Sequence, residues 1–358
     1  MTELDMDIQI ALPHGKSRNR EKELMDFAQA ITELDKRIGF HISARGWGYE
    51  LETFRLIDKN QIDLAESLVN EAILKGYVNV DIIAQDQGRA FSGVEVPETC
   101  TPIEYLARFL GYCQRIEYGY TPDWWENEEF YVQMLVEKID LRTLWEPICK
   151  QYHIPIATSS GWSSILQRAE FGRRFKEAEQ RGLRCVLLYA GDFDPDGVRI
   201  SDTLRKNLAD VRRVVWSDGE SGYDPKDLII ERFALNLDQI ERLNLLWIDN
   251  LKTGSKKKDL ADPLHPNFHL DYVQNWLKTI GRRKVESNAL VTKPQEARRI
   301  CEDDIVNGGQ NWPGLGKDAL ERFQTKRTRV TGEIQRFRRK TGLNVTLARL
   351  ISIIRGED

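Results

Sequence analysis

Cysteine is scarce in this chain: there are five in 358 residues, an odd number, and none stands within four positions of another. No pair of histidines has zinc-ligand spacing, so neither a disulfide framework nor a structural zinc is supported. The five histidines, His14, His41, His153, His265 and His269, form no nucleophile-and-base pattern, which leaves Ser/His/Asp chemistry without support. Long apolar runs are missing too, since nothing approaches the roughly 18 uninterrupted residues of a membrane span. The opening Met1-Thr2-Glu3-Leu4-Asp5-Met6-Asp7 is acidic and lacks the charged-then-apolar order of an export signal. A cytoplasmic location without membrane partners is therefore expected.

What the sequence does have is 41% hydrophobic and 30% charged residues, enough to fold as a globular protein of about two or three domains. The formal net charge of −4 conceals a strong asymmetry. Between Lys317 and Arg355, eleven Lys and Arg stand against three Asp and Glu, while residues 1 to 316 carry a net of about −10. A basic tail follows an acidic body.

Apolar residues recur at helical spacing from Lys22 to Arg37, a predicted N-terminal helical extension over residues 1–38. Ser43 can cap a helix through Arg45, Tyr49 and Leu51, and a second run from Ile62 to Leu74 ends at Gly76. With the strand-like Val78–Ile83, these suggest a winged-helix-like domain that, with an irregular linker over 84–128, fills 39–128. From Phe130 short apolar strands alternate with amphipathic helices, the pattern of a parallel sheet built from βαβ units. The strands are predicted at Tyr131–Val136, Pro155–Ala157, Cys185–Tyr189 and Arg213–Trp216, with helices at Leu141–Gln151, Ser163–Gln180 and Val198–Leu208. This α/β domain occupies 129–218. A mixed α/β continuation covers 219–316, with Lys256-Lys257-Lys258 in a loop, and a basic helical segment covers 317–358.

Two acidic strand ends carry the chemistry. Glu137 follows the first strand, and Asp192-Phe193-Asp194-Pro195-Asp196-Gly197 follows a later one. In an open parallel sheet, sites form outside the carboxyl ends of the strands, so the two ends can converge. Several hard carboxylate oxygens suit Mg²⁺, which commonly shares its shell with phosphate oxygens. Glu137, Asp192, Asp194 and Asp196 are thus the candidate metal ligands. A calcium loop would also open Asp-x-Asp-x-Asp-Gly, but its twelfth position here is Thr203 and an apolar strand precedes it. A metal-free Asp/Pro/Gly turn is the other reading.

A strand-end Glu paired with an Asp-x-Asp resembles the signature of Toprim domains, which occur in topoisomerases, primases and nucleases. The wording Val136-Glu137-Lys138, Ile154-Pro155, Gly161-Trp162-Ser163-Ser164 and Asp192 to Gly197 is similar to that of the A subunit of topoisomerase VI and its meiotic double-strand-break relatives, over roughly residues 40 to 210. The resemblance implies a Rossmann-like Toprim sheet preceded by a winged helix. In the same order, Arg45-Gly46-Trp47-Gly48-Tyr49 matches the family's Arg followed four residues later by the Tyr that attacks DNA, although the two glycines depart from it. By this resemblance Tyr49 would form a phosphotyrosyl bond, Arg45 would neutralise the phosphate, and Glu137 would serve the Mg²⁺ that assists. A symmetric homodimer would cut both strands, with Tyr49 facing the partner's metal site. Two other readings remain: a hydrolytic Toprim nuclease using water, and a nucleic-acid-binding module of a larger complex. An Arg and an aromatic four apart also simply stack on one helix face.

The remaining candidates are cationic. Lys138 can reach a phosphate or be merely solvated. Arg282, Arg283 and Lys284 form one possible backbone-contacting cluster. Lys326, Arg327, Arg329, Arg336, Arg338, Arg339 and Lys340 form a denser one, suited to DNA or to an acidic protein partner. Glu286 reads as a surface salt-bridge partner or an extra acidic ligand. No Gly-x-x-x-x-Gly-Lys-Ser/Thr motif occurs, so any ATP-driven step needs a separate ATPase subunit.

Overall fold

The computed structural model describes residues 10–13, 18–39, 42–79, 82–83, 99–159, 165–214, 216, 218–253 and 258–356. The predicted features Gly161-Trp162-Ser163-Ser164 and most of the Lys256–Lys258 loop lie outside these residues. The chain divides into two compact units, residues 1–87 with 129–314, and residues 88–128 with 315–358.

The first unit opens with α1 (Arg20–Ile38), α2 (Ala44–Thr53) and α3 (Ile62–Leu74). The Ser43 side chain accepts the Gly46 N–H and so satisfies one orphan donor of α2. α2 crosses α3 closely because Gly48 has no side chain: a Cβ there would lie 2.8 Å from Ile62 Cγ2. The glycines that weaken helix propensity are therefore packing residues. Of the expected strand at 78–83, the described residues show a parallel bridge between Ile42 and Ile83. α4 (Pro102–Cys113) belongs to the second unit.

The sheet follows, with β1 (Phe130–Val136), α5 (Ile139–Gln151), β2 (Ile156–Thr158), α6 (Ile165–Gln180), β3 (Arg184–Ala190), α7 (Ile200–Asp210) and β4 (Ile229–Ala234). All its pairings are parallel and the strand order is β2-β1-β3-β4. β1 is buried along its whole length and β3 from Cys185 onward, because helices cover both faces. On one face, Trp145 of α5 packs on Phe233 and donates its indole N–H to the Ala297 carbonyl. On the other, Phe175 of α6 meets Tyr131 edge-on, and Gln133 donates to the Phe171 carbonyl. The unit is completed by α8 (Leu237–Leu243), the short antiparallel pair β5 (Lys252–Thr253) and β6 (Lys258–Asp259), α9 (Asp271–Thr279) and α10 (Pro294–Asn307).

One strand differs from expectation. The segment Arg213–Trp216 is not a strand in its described residues, and the fourth strand is formed by Ile229–Ala234. Its apolar run is interrupted by Glu231, which is buried, and Arg232, which is half-buried, and both find partners. Glu231 accepts from the backbone N–H of Gln310 and Asn311, and Arg232 donates to the carbonyls of Gly191, Asp192, Gly197 and Leu235. Two charges in six residues hide this strand from periodicity alone.

The second unit joins α4 to the C-terminal α11 (Ala319–Thr341) and α12 (Leu343–Arg355). The segment expected to be a linker is thus partly helical. Thr101 and Glu104 form a capping box at the start of α4. Trp124 and Trp125 are core residues, Trp124 stacking on Phe323 at 4.4 Å. No helix among the described residues is long and apolar enough to cross a membrane.

Candidate functional site

Strand order places the site. From β1 the chain crosses to β2 on one side, then returns past β1 to β3 on the other, so the carboxyl ends of β1 and β3 flank a topological switch point. Glu137 follows β1 and Asp192 follows β3 there. Glu137 Oε2 accepts the Asp192 backbone N–H at 2.8 Å. The half-buried Lys138 ammonium bridges Glu137 Oε1 at 2.8 Å and Asp192 Oδ2 at 3.0 Å.

A third stretch of chain, Lys284 to Asn288, closes the site, and sequence periodicity does not single it out. Val285 pairs with Phe193 and Lys284 with Ile248 in isolated antiparallel bridges beside the acidic loop, and from Ser287 to Thr292 the chain turns as a 3-10 helix. The Ser287 N–H and hydroxyl both donate to Asp192 Oδ1 at 2.8 Å. Asn288 donates to Asp140, which also accepts the backbone N–H and hydroxyl of Ser43, the residue capping α2. One turn and a half along that helix, Tyr49 donates its hydroxyl to Glu286 Oε2 at 2.5 Å. Glu286 is therefore neither a plain surface salt-bridge partner nor remote: it joins the tyrosine helix to the acidic site.

A cavity of about 1000 Å³ collects these groups within the first unit. Arg45, Tyr49, Glu137, Lys138, Asp192, Asp194, Lys284 and Glu286 all line it. Within this one chain, the 284–288 segment ties α2 to the acidic loop, so that Tyr49 and the acidic strand ends line the same cavity. Arg45 lies over the Tyr49 ring at 5.8 Å and pairs with Asp63 and Glu66 at the surface. Such exposed pairs contribute about 0–1 kcal/mol and yield readily to a stronger anion.

The charges are unevenly matched. Burial opposes ionisation of Asp192, but Lys138 and the Ser287 donors overcome it and hold its carboxyl below the ordinary value. Asp194 has no cation within ion-pair distance among the described residues, and Lys284 offsets its charge only weakly. Burial, then the charges of Asp192 and Asp196, push it up to about 6, against one backbone hydrogen bond from Gly197. Burial and the nearby Glu286 carboxylate also push the Tyr49 phenol well above its usual range, Arg45 pulling the other way.

The donor set suits a hard divalent cation in kind, since three carboxylates face one cavity and one of them lacks a counter-charge. Glu137, Asp192 and Asp194 are the residues that would hold it. As placed, no three acidic, His or Cys side chains among the described residues are drawn together as a metal would hold them, and the Lys138 ammonium stands between two of the three. Asp196 points elsewhere: it is exposed, outside the cavity lining, and accepts the Tyr272 hydroxyl.

The cationic candidates separate. Arg282 is exposed and held by Asp259, Arg283 stacks over Trp247 at 4.0 Å, and only Lys284 of that cluster lines the cavity. In the second unit, Lys326 donates to the carbonyls of Trp124 and Glu126 and to Glu128, and Arg338, 4% exposed, is paired with Glu117. These two are taken up inside the unit rather than offered to a ligand. Arg329 pairs with Glu126, and Arg327 donates to the Tyr118 carbonyl. Arg336, Arg339 and Lys340 remain on the exposed side of α11. Comparison with family models, with curated proteins and with solved structures finds no match to this chain.

Proposed function

We propose that this protein is a Toprim-type enzyme that breaks nucleic-acid phosphodiesters by transesterification through Tyr49, with Mg²⁺ held by Glu137, Asp192 and Asp194. The observation that carries this reading is the Tyr49 to Glu286 hydrogen bond inside the cavity that the acidic strand ends also line. The winged-helix character of residues 39–83 and the DNA substrate belong to the same proposal.

A phenol whose ionisation is disfavoured does not attack as a preformed phenolate. Its proton leaves as the new bond forms, and the acceptor must already be in hydrogen-bond reach. Glu286 holds that position. The Tyr49 Oη–P bond forms, the P–O bond to the leaving sugar breaks, the phenol proton passes to Glu286, and the leaving oxygen takes a proton from water. Arg45 balances charge on the attacked phosphate, and Lys284, 3.6 Å from Glu286, steadies the carboxylate. Mg²⁺, when bound, supplies positive charge for phosphate oxygens.

The suppressed acidity of Tyr49 favours one alternative, hydrolysis, in which Glu286 takes its proton from a water instead. Incubating wild type and Tyr49→Phe with supercoiled plasmid and Mg²⁺, then denaturing in detergent, separates the two. Transesterification predicts protein-linked DNA ends that vanish with Tyr49→Phe. Free ends at the wild-type rate in that variant would replace it with hydrolysis, and no cleavage by either protein would remove both.

A further inference from the structure

The second unit holds a cavity of its own, of about 730 Å³, between α4 and the C-terminal end of α12. Small-molecule sites occupy about 300–1000 Å³, so its size is that of a ligand pocket. Three guanidinium groups line it, Arg108 and Arg115 from α4 and Arg355 from α12, against the carboxylate of Glu104. That carboxylate is turned back on the start of its own helix, where it accepts the Thr101 N–H at 2.8 Å and the Thr101 hydroxyl at 3.0 Å. Arg108 and Arg115 stand two turns apart on one helix face, a rise of about 10 Å. Gly111 lies between them, one turn from either, and an added Cβ there would meet nothing within 4 Å. The cavity floor is therefore open where a side chain would otherwise stand, with a guanidinium on each side. Tyr112, 62% exposed, lines the same cavity. Three like charges around one gap attract a multiply charged anion above other ligands.

We propose that this cavity binds a nucleoside polyphosphate, its phosphate chain lying over Gly111 among the three guanidiniums and its base stacking on Tyr112. Two features choose the ligand. The positive groups are spread over two helical turns, which suits a chain of phosphates better than a single phosphate or carboxylate, and guanidinium forks take phosphate oxygens two at a time. An aromatic ring stands beside them, next in sequence to Gly111, and offers a base the stacking face that an inorganic polyphosphate cannot use. A polynucleotide carries the same groups, but with one phosphate to each base along an extended strand, whereas a gap of this size holds one base with several phosphates. The chain has no Gly-x-x-x-x-Gly-Lys-Ser/Thr loop, and the one carboxylate among the described lining residues is engaged by Thr101. The nucleotide is thus bound here and not hydrolysed, and the site stands independently of the cleavage chemistry.

Calorimetric titration of the full chain with ATP in a chelator reads this site, since without metal nothing bridges the triphosphate to the carboxylates of the first unit. ATP should saturate one site per chain with a Kd below about 1 mM. Arg108→Ala and Arg115→Ala should each weaken it about tenfold, the loss of one charge-assisted hydrogen bond. Gly111→Leu fills the cavity floor while keeping every charge, and should abolish binding. Because leucine is the better helix former, that loss cannot come from an unfolded α4. Tyr112→Leu should weaken ATP about tenfold and leave the binding of inorganic triphosphate unchanged, since only the base uses the ring. Absence of saturable binding overturns the proposal, as does binding indifferent to both Gly111→Leu and Arg115→Ala. So does a short oligothymidylate that binds more tightly than ATP and loses that binding with Gly111→Leu, which would make the cavity a strand-binding site.

Discussion

Replacing Asp194 by Asn should stabilise the metal-free protein, and by an amount that depends on pH. The Asp194 carboxyl is buried and titrates at about 6, against an ordinary value near 3.8. A raised acid favours the folded state only while protonated, so its stabilising contribution is complete below the unfolded value and is lost as pH rises through about 6. Two pH units correspond to about 3 kcal/mol. Asparagine keeps the carbonyl that accepts the Gly197 N–H and abolishes the charge. Relative to wild type, the gain should grow from about 1 kcal/mol at pH 4.5 to about 3 kcal/mol at pH 7.5. Urea denaturation in a chelator at both pH values measures it. A destabilised variant, or a gain that is the same at both, would refute the account of Asp194 as an uncompensated charge.

Asp192→Asn should behave in the opposite way, destabilising by about 2–4 kcal/mol near neutral pH in the same denaturation series, because it weakens a buried pair with Lys138 and disturbs both Ser287 donors. Asp140→Ala leaves the Ser43 N–H and the Asn288 amide without their acceptor, so it should cost about 2–4 kcal/mol and reduce cleavage without touching substrate. Asp140→Asn should retain most of both, since the Asn288 amide can turn its unpartnered oxygen toward the new NH₂. Arg338→Ala strands Glu117 in the second unit and should cost about 3–5 kcal/mol, seen as earlier thermal unfolding and faster proteolysis there. Neutralising Arg336, Arg339 and Lys340 together should lower the slope of log affinity for duplex DNA against log salt by up to about 3, measured by fluorescence anisotropy.

Which parts of this structure could be foreseen follows from how locally each is encoded. β1 and β3 announce themselves as apolar runs ending in acidic turns, and Glu137, Asp192 and Asp194 follow from strand ends alone. β4 does not, because Glu231 and Arg232 find buried partners that only the folded chain supplies. α4 was obscured by the proline and aromatic content around it, although Thr101-Pro102-x-Glu104 is a helix start in plain view. The basic density of α11 suggested phosphate contacts, yet the partners of Lys326 and Arg338 lie about two hundred residues earlier in the sequence. Glu286 is the same case: Tyr49 is 237 positions away, and no window of sequence joins them.

The uneven pairing of charges also bears on how a cation would enter. Lys138 satisfies Glu137 and Asp192 together, so the metal-free site is closed by one ammonium that belongs to neither carboxylate alone. Among the described residues Asp194, on the same loop as Asp192, has no cation within ion-pair distance, and Lys284 acts on it only from farther off. Glu137, Asp192 and Asp194 are the residues that would hold a divalent ion, which would take the place of the Lys138 ammonium on the first two. Such a displacement would leave a half-buried positive charge in the cavity that Arg45 and Lys284 also line. A free ammonium there is costly unless an anion accompanies it. Cation and phosphate should then bind with mutual reinforcement, each supplying the charge that the other's arrival leaves uncompensated, and Lys138→Met should abolish that coupling while strengthening repulsion among the carboxylates in the metal-free state.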